Sequence, residues 1–198
     1  MATPFKVEAW TEYAIGLLVL LIRLVYRSTI VGSNWEGDDH FALIAVFFWT
    51  GELVMLELIG QYGSITGMTD EIALTLSDKQ IERIVVGSKC LLAGWCLYVT
   101  LVWCLKACML FLLNLRQKRM VIVAALTCVL FYLVTIIVIL TRCQPFHANW
   151  QVYPYPGDSC ALNIPNYIVL AITNVTTDMM ILYIPLPLLW SVQMPLAR

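Results

Sequence analysis

The 198-residue chain is short of charge: 13% of it is Asp, Glu, Lys or Arg, where soluble domains carry about 25%. Histidine is scarce, with only His40 and His147, so haem or di-iron chemistry built on several imidazoles has too few ligands. There is no H-E-x-x-H, no glycine-rich phosphate loop and no G-x-S-x-G, so no catalytic residue is assigned. The net charge of −1 offers no attraction to nucleic acid or another polyanion. The N-terminus, MATPFKVEAW, lacks the basic stretch, short apolar core and small-residue cleavage site of a signal peptide. The first membrane helix is therefore expected to direct insertion itself.

What the chain has is apolar sequence. It is 61% hydrophobic, with a mean hydropathy of +0.81, and a soluble fold of this size has too much surface to hide that content. A helix needs about 20 mostly apolar residues to cross a bilayer. Five segments qualify, at about 11–27, 39–60, 84–115, 120–141 and 165–190. Polar or turn-rich connections join them, and no repeat or soluble domain interrupts them. The expectation is an all-α membrane protein, a five-helix transmembrane bundle over residues 1–198, multi-pass in the plasma membrane or an endomembrane, with the lipid bilayer as its first partner. Five of the seven cysteines (Cys90, Cys96, Cys104, Cys108 and Cys128) lie in these apolar runs and read as small buried hydrophobes.

Orientation follows from Lys and Arg. With the N-terminus outside, Arg23, Arg27, Arg116, Lys118, Arg119 and Arg198 fall inside, against Lys6, Lys79, Arg83, Lys89 and Arg142 outside. The dense basic loop NLRQKRM decides for an outside or lumenal N-terminus. Asp38 and Asp39 stand at the start of the second apolar run. They read as helix-capping acids that suit the positive helix end, although Asp-Asp-His also resembles a metal or diphosphate motif without a second acidic partner.

Ionisable groups inside a bilayer are costly and usually face a bundle interior. Glu52, Glu57, Lys106 and Asp178 stand out. Lys106 and Asp178 differ in depth by less than about two helical turns, so they read as a pair. That pair either locks helices together or serves a proton relay or polar ligand. Glu57 and Lys89 both fall near the outer surface and read as a second pair. Asn174, Thr176 and Thr177 share the fifth segment with Pro185 and Pro187, which are expected to kink its inner half.

The connection TRCQPFHANWQVYPYPGDSC holds Cys143, His147, Asp158 and Cys160. A C-x3-H…C spacing with Asp158 as a further ligand is a poor zinc signal, and no metal is assigned. On an oxidising face, two cysteines 17 apart read as a disulfide, although either could pair with Cys90. Trp150, Tyr153 and Tyr155 suit the membrane interface.

Five stretches in order resemble one family. WEGDDHFALIA, LIGQYGSITGMT, LVWCLKACMLFLLNL, TRCQPFHANW with GDSC, and TDMMILYIPLPLLWSVQMPLAR are similar to the fungal rhodopsin-like integral membrane domain, a seven-helix family with receptor members. By that resemblance Asp38, Asp39, Lys106, Cys143, Trp150, Cys160, Asp178, Pro185 and Pro187 hold family positions. The sequence accounts for the first five of the seven helices, with the sixth and seventh absent. The resemblance implies receptor-like sensing without an identified ligand, with other membrane subunits or a signalling protein on the inner face as partners. It implies no retinal, since light-absorbing rhodopsins anchor that group on a seventh-helix lysine, and no cofactor is expected. The alternative is a membrane-embedded accessory protein or enzyme of a secondary-metabolite pathway. A transporter built on paired broken helices ranks last.

Overall fold

The structure, a computed structural model, describes residues 4–30, 37–113 and 118–186. Among these residues there is no strand. Five long helices form an antiparallel bundle: α1 (Pro4–Ile30), α2 (Gly37–Tyr62), α4 (Asp78–Leu113), α5 (Lys118–Thr141) and α7 (Ile164–Tyr183). Two short helices, α3 (Asp70–Thr75) and α6 (Asp158–Ala161), and a 3-10 turn at Phe146–Asn149 lie in the connections.

The helices α1, α2, α4 and α5 are long and apolar enough to cross a membrane. The described part of α7 falls short of that measure because Asn166, Thr173, Asn174, Thr176, Thr177 and Asp178 dilute its apolar content. It stops at Tyr183, two residues before Pro185, whose missing N–H and restrictive ring disfavour helix at that point. The expected continuation to residue 190, including Pro187, lies outside the described residues.

The apolar pattern starts α4 at about residue 84, but the helix begins at Asp78. Hydrogen bonds between Ser77 and the first turn account for the difference. The Gln80 side chain accepts from the Ser77 N–H at 2.9 Å, and the N–H groups of Gln80 and Ile81 donate to the Ser77 carbonyl at 2.9 and 3.0 Å. The turn Asp78–Arg83 is thus helical although Ile81, which packs on the Ile65 and Met68 cluster, is its one apolar residue.

Packing explains the order of the helices. The most extensive interface joins α2 and α4, while α5 contacts both α4 and α7. The main buried cluster combines Val99, Trp103 and Leu110 of α4, Val121, Ala124 and Cys128 of α5, and Ile181 of α7. The outer faces are apolar and exposed: Leu18 and Ile22 on α1, Leu126 and Val129 on α5, Ile172 and Met179 on α7. In water such a belt would drive aggregation; in a bilayer it is the lipid-facing surface. Lipid gives helices little hydrophobic reason to associate, so close packing and hydrogen bonds hold them. The Trp103 indole N–H donates to the Cys128 carbonyl at 2.8 Å, and the Thr135 and Thr173 hydroxyls meet at 3.2 Å. Two backbones also pass closely where α4 meets the turn after α2. A Cβ at Gly87 would collide with the carbonyl of Gly63, which itself has φ +79°, a left-handed conformation that glycine adopts without strain.

Candidate functional site

The polar centre of the bundle is built on α4 and α7. Lys106 is 5% exposed. Its ammonium donates to the Asp178 carboxylate and, at 3.2 Å, to the Asn174 carbonyl. Asn174 and Asp178 are four residues apart, on one face of α7, so one cation reaches both. The Trp103 ring centroid is 5.9 Å from the same ammonium, within cation–π range. The Asn174 side-chain oxygen is buried without a partner among the described residues. A buried ammonium paired with a carboxylate within the bilayer can hold two helices in register or exchange a proton.

A second contact repeats this register. The Trp95 and Tyr167 rings meet edge to face with centroids 4.9 Å apart. Lys106 is eleven residues after Trp95, and Asp178 is eleven after Tyr167. Eleven residues make about three helical turns, so both pairs use the same faces of two parallel helices.

Beside the aromatic pair lies a cavity of about 340 Å³ between α2, α4 and α7, lined by Glu52, Leu56, Trp95, Tyr98, Tyr167 and Leu170 among others. Glu52 also lines a neighbouring cavity with Glu8, Glu12, Tyr13 and Trp49. Among the sequence-derived candidates, Glu52 is therefore on a different helix from the Lys106–Asp178 pair and borders cavities that neither Lys106 nor Asp178 lines.

Asp38 and Asp39 occupy the first turn of α2, where the helix dipole favours acids, but their carboxylates are held by α1. Arg23 donates to Asp38 at 2.7 Å, and Arg27 donates to Asp39 at 3.2 Å and reaches Asp38 at 3.5 Å. Arg23 also points to the Cys108 sulfur at 2.9 Å, and that thiol donates to the Asp38 carbonyl at 3.3 Å. Four charged groups of α1 and α2 thus meet α4 at one end of the bundle. The signal for this cluster was the Arg23, Arg27 spacing of four, which puts both cations on one helix face.

At the opposite end, a disulfide joins Cys143 and Cys160, with Cα atoms 5.7 Å apart. Both sulfurs are committed to it, and His147 is exposed, so the zinc alternative lacks its thiolates. Among the described residues no group of three His, Cys, Asp or Glu side chains could hold a metal. The loop is tied down on three sides. Val152 is 1% exposed and packs with Ile65, Met68 and Ala73 of the α2–α4 connection. Trp150 meets Phe146 edge to face at 5.2 Å and takes the Lys89 ammonium over its ring at 5.4 Å. Arg142 donates to Asn163 and, at 3.4 Å, to Asn149. Burial pushes the Arg142 guanidinium below its ordinary value. Asn163 adopts φ 55° just before α7, a conformation Asn tolerates better than most residues, and its carbonyl accepts from the Tyr167 N–H at 3.3 Å. The loop therefore sets the first turn of α7, and with it the Tyr167 ring. On the loop surface Tyr155 donates to Asp158 at 2.6 Å, which raises the phenol above its ordinary value.

Lys89 is thus taken up by Trp150, and the expected Glu57–Lys89 pair does not form. Glu57 is held by Lys6 of α1 at 2.6 Å instead, because the additional N-terminal turns of α1 carry Lys6 to the depth of Glu57. The aromatic lining of the Glu52 cavity was also missed: Trp95, Tyr98 and Tyr167 lie in apolar runs, where a ring reads as core.

The family model described as the Fungal rhodopsin domain matches residues 22–198. No curated protein and no solved structure matches the chain.

Proposed function

The chain belongs to the fungal rhodopsin domain family, and we propose that it acts as a receptor-like membrane protein, sensing a small molecule from the outer or lumenal side. The observation that carries this reading is the shared register of α4 and α7. The Trp95–Tyr167 contact borders a ligand-sized cavity, and the Lys106–Asp178 pair lies three turns along the same faces. Pockets of about 300–1,000 Å³ suit small ligands. A ligand that moves Tyr167 against Trp95 also shifts α7 along α4, and the Lys106–Asp178 pair registers that shift. The free-energy change available is the ligand's differential affinity for the two arrangements.

The N-terminus lies outside or in the lumen in this reading. The disulfide loop shares the N-terminal end of the bundle, and disulfides persist in oxidising compartments. Lys118 and Arg119 lie at the other end with Arg23 and Arg27, as the positive-inside rule requires. Crossing by α7 completes a five-helix bundle. A signalling protein or further membrane subunit then meets the inner face, near the Arg23, Arg27, Asp38 and Asp39 cluster.

The test compares cells expressing the chain with cells expressing Lys106→Met at equal membrane abundance, both exposed to a panel of small molecules added outside. A transcriptional response present in the first and reduced at least about tenfold in the second supports the reading. Identical responses across the panel count against it. A change in a secreted metabolite without any added molecule would favour a biosynthetic role.

A further inference from the structure

Glu52 differs from every other carboxylate on α2 and α7. Asp38 has Arg23, Asp39 has Arg27, Glu57 has Lys6 and Asp178 has Lys106. Among the described residues no basic side chain pairs with Glu52, and none lines either of the cavities it borders. An unpaired carboxylate at membrane depth is costly, and such groups commonly mark ligand or ion pathways.

The rest of the cavity has matching chemistry. Trp95, Tyr98 and Tyr167 contribute three aromatic rings to its lining. Trp95 and Tyr167 stand at 76° to each other, so they form two walls of a corner. Ring faces carry negative charge density and attract cations, best when water is excluded. Leu56 and Leu170 supply apolar wall between them. The second cavity on Glu52 adds Glu8 and Glu12, so the ionisable side chains lining the two cavities are all acidic.

We infer that the cavity bounded by Glu52, Trp95, Tyr98 and Tyr167 is a binding site for a small organic cation, an amine or quaternary ammonium carrying an apolar group. Glu52 supplies the counter-charge, the three rings surround the ammonium, and the leucines take the apolar portion. A neutral or anionic molecule of the same size gains only the apolar contact. The proposal rests on the receptor-like reading for its role, but its chemistry stands on the cavity alone.

The experiment uses the full chain in lipid nanodiscs. Three phenyl-bearing probes of similar size are titrated by saturation-transfer NMR: 2-phenylethylammonium, 2-phenylethanol and phenylacetate. The expected result is an affinity about tenfold higher for the cation than for the alcohol, with the carboxylate weakest. Glu52→Gln brings the cation-to-alcohol ratio close to one. Glu57→Gln, on the same helix but held by Lys6 outside this cavity, leaves the ratio unchanged. Tyr167→Leu keeps apolar bulk and lowers the cation's affinity about fivefold, which provides a second reading if Glu52→Gln does not fold. Equal binding of all three probes overturns the proposal, as does a cation preference that survives Glu52→Gln. Cation binding without any cellular response leaves the site standing and removes the receptor reading. A cellular response without cation preference does the reverse.

Discussion

Lys106 and Asp178 form an ion pair whose partners differ in exposure: the lysine side chain is 6% exposed and the aspartate 50%. Both lie at membrane depth, so neither is cheap to orphan. Asp178→Asn leaves a buried ammonium without counter-charge and is expected to cost about 3 kcal/mol. Lys106→Met leaves a carboxylate unpaired within the bilayer, and a loss of similar size is expected. Combining the two substitutions should recover most of either loss, and additive losses on unfolding in bicelles would refute the pairing.

The cluster in the C-terminal part of α1 behaves differently, because two arginines share its acids. Arg23→Ala removes the closer partner of Asp38 but leaves Arg27 at 3.5 Å. The expected loss is about 2 kcal/mol, below the range for a fully orphaned buried charge. Adding Asp38→Asn to that variant should recover most of it. A double-mutant cycle reads the coupling, and additive losses would show that Arg23 contributes nothing through Asp38.

The outer loop is closed across a separation of 17 residues. Replacing Cys143 and Cys160 together with Ser should lower stability by about 3 kcal/mol in the chain-entropy model. Mass spectrometry of the unreduced protein should find neither cysteine alkylated. Alkylation of both would refute the disulfide.

Sidedness has a direct test. An epitope inserted between residues 114 and 117 should be reached by antibody only after permeabilisation, and one next to Tyr153 without it in cells that carry the protein at their surface. The opposite pattern would invert the bundle.

Tyr155 gives a pH-dependent signature on the loop. Its phenol is raised because it donates to Asp158. The folded protein thus holds that proton more tightly than the unfolded chain. The bond's contribution is complete below the ordinary tyrosine value of about 10 and is lost as pH rises through the folded value. Alkaline ultraviolet difference spectra of wild type and Tyr155→Phe isolate this transition, and a phenol titrating at or below 10 would contradict it.

Much of the architecture was legible in the sequence because a bilayer imposes a length and a composition on each helix. The Lys106–Asp178 contact followed from depth along two helices alone. What escaped were choices among partners at similar depth. Glu57 had Lys6 and Lys89 within range, and only the early start of α1 decides between them. Asp38 and Asp39 read as capping acids because a capping acid and a paired acid look alike until the facing helix is known. The start of α4 was misjudged because Asp78–Arg83 is mostly polar, although the Ser77, Gln80 spacing was visible. The cavity rings at Trp95, Tyr98 and Tyr167 have no signal separating them from core aromatics, since their meaning depends on Glu52, more than 40 positions from the nearest of them.

The contact of Lys89 with Trp150 also serves as a height mark. Ammonium groups and indoles both settle where hydrocarbon gives way to headgroups, so the pair fixes the level at which α4 leaves the lipid. From Lys89 to the end of the helix at Leu113 there are 24 residue steps, about 36 Å of rise. A hydrocarbon layer about 30 Å thick takes up that length if α4 leans by about 30°. A thicker bilayer would bring the helix upright and a thinner one would lay it over. Through its long contact with α2, membrane thickness becomes a mechanical input to the bundle.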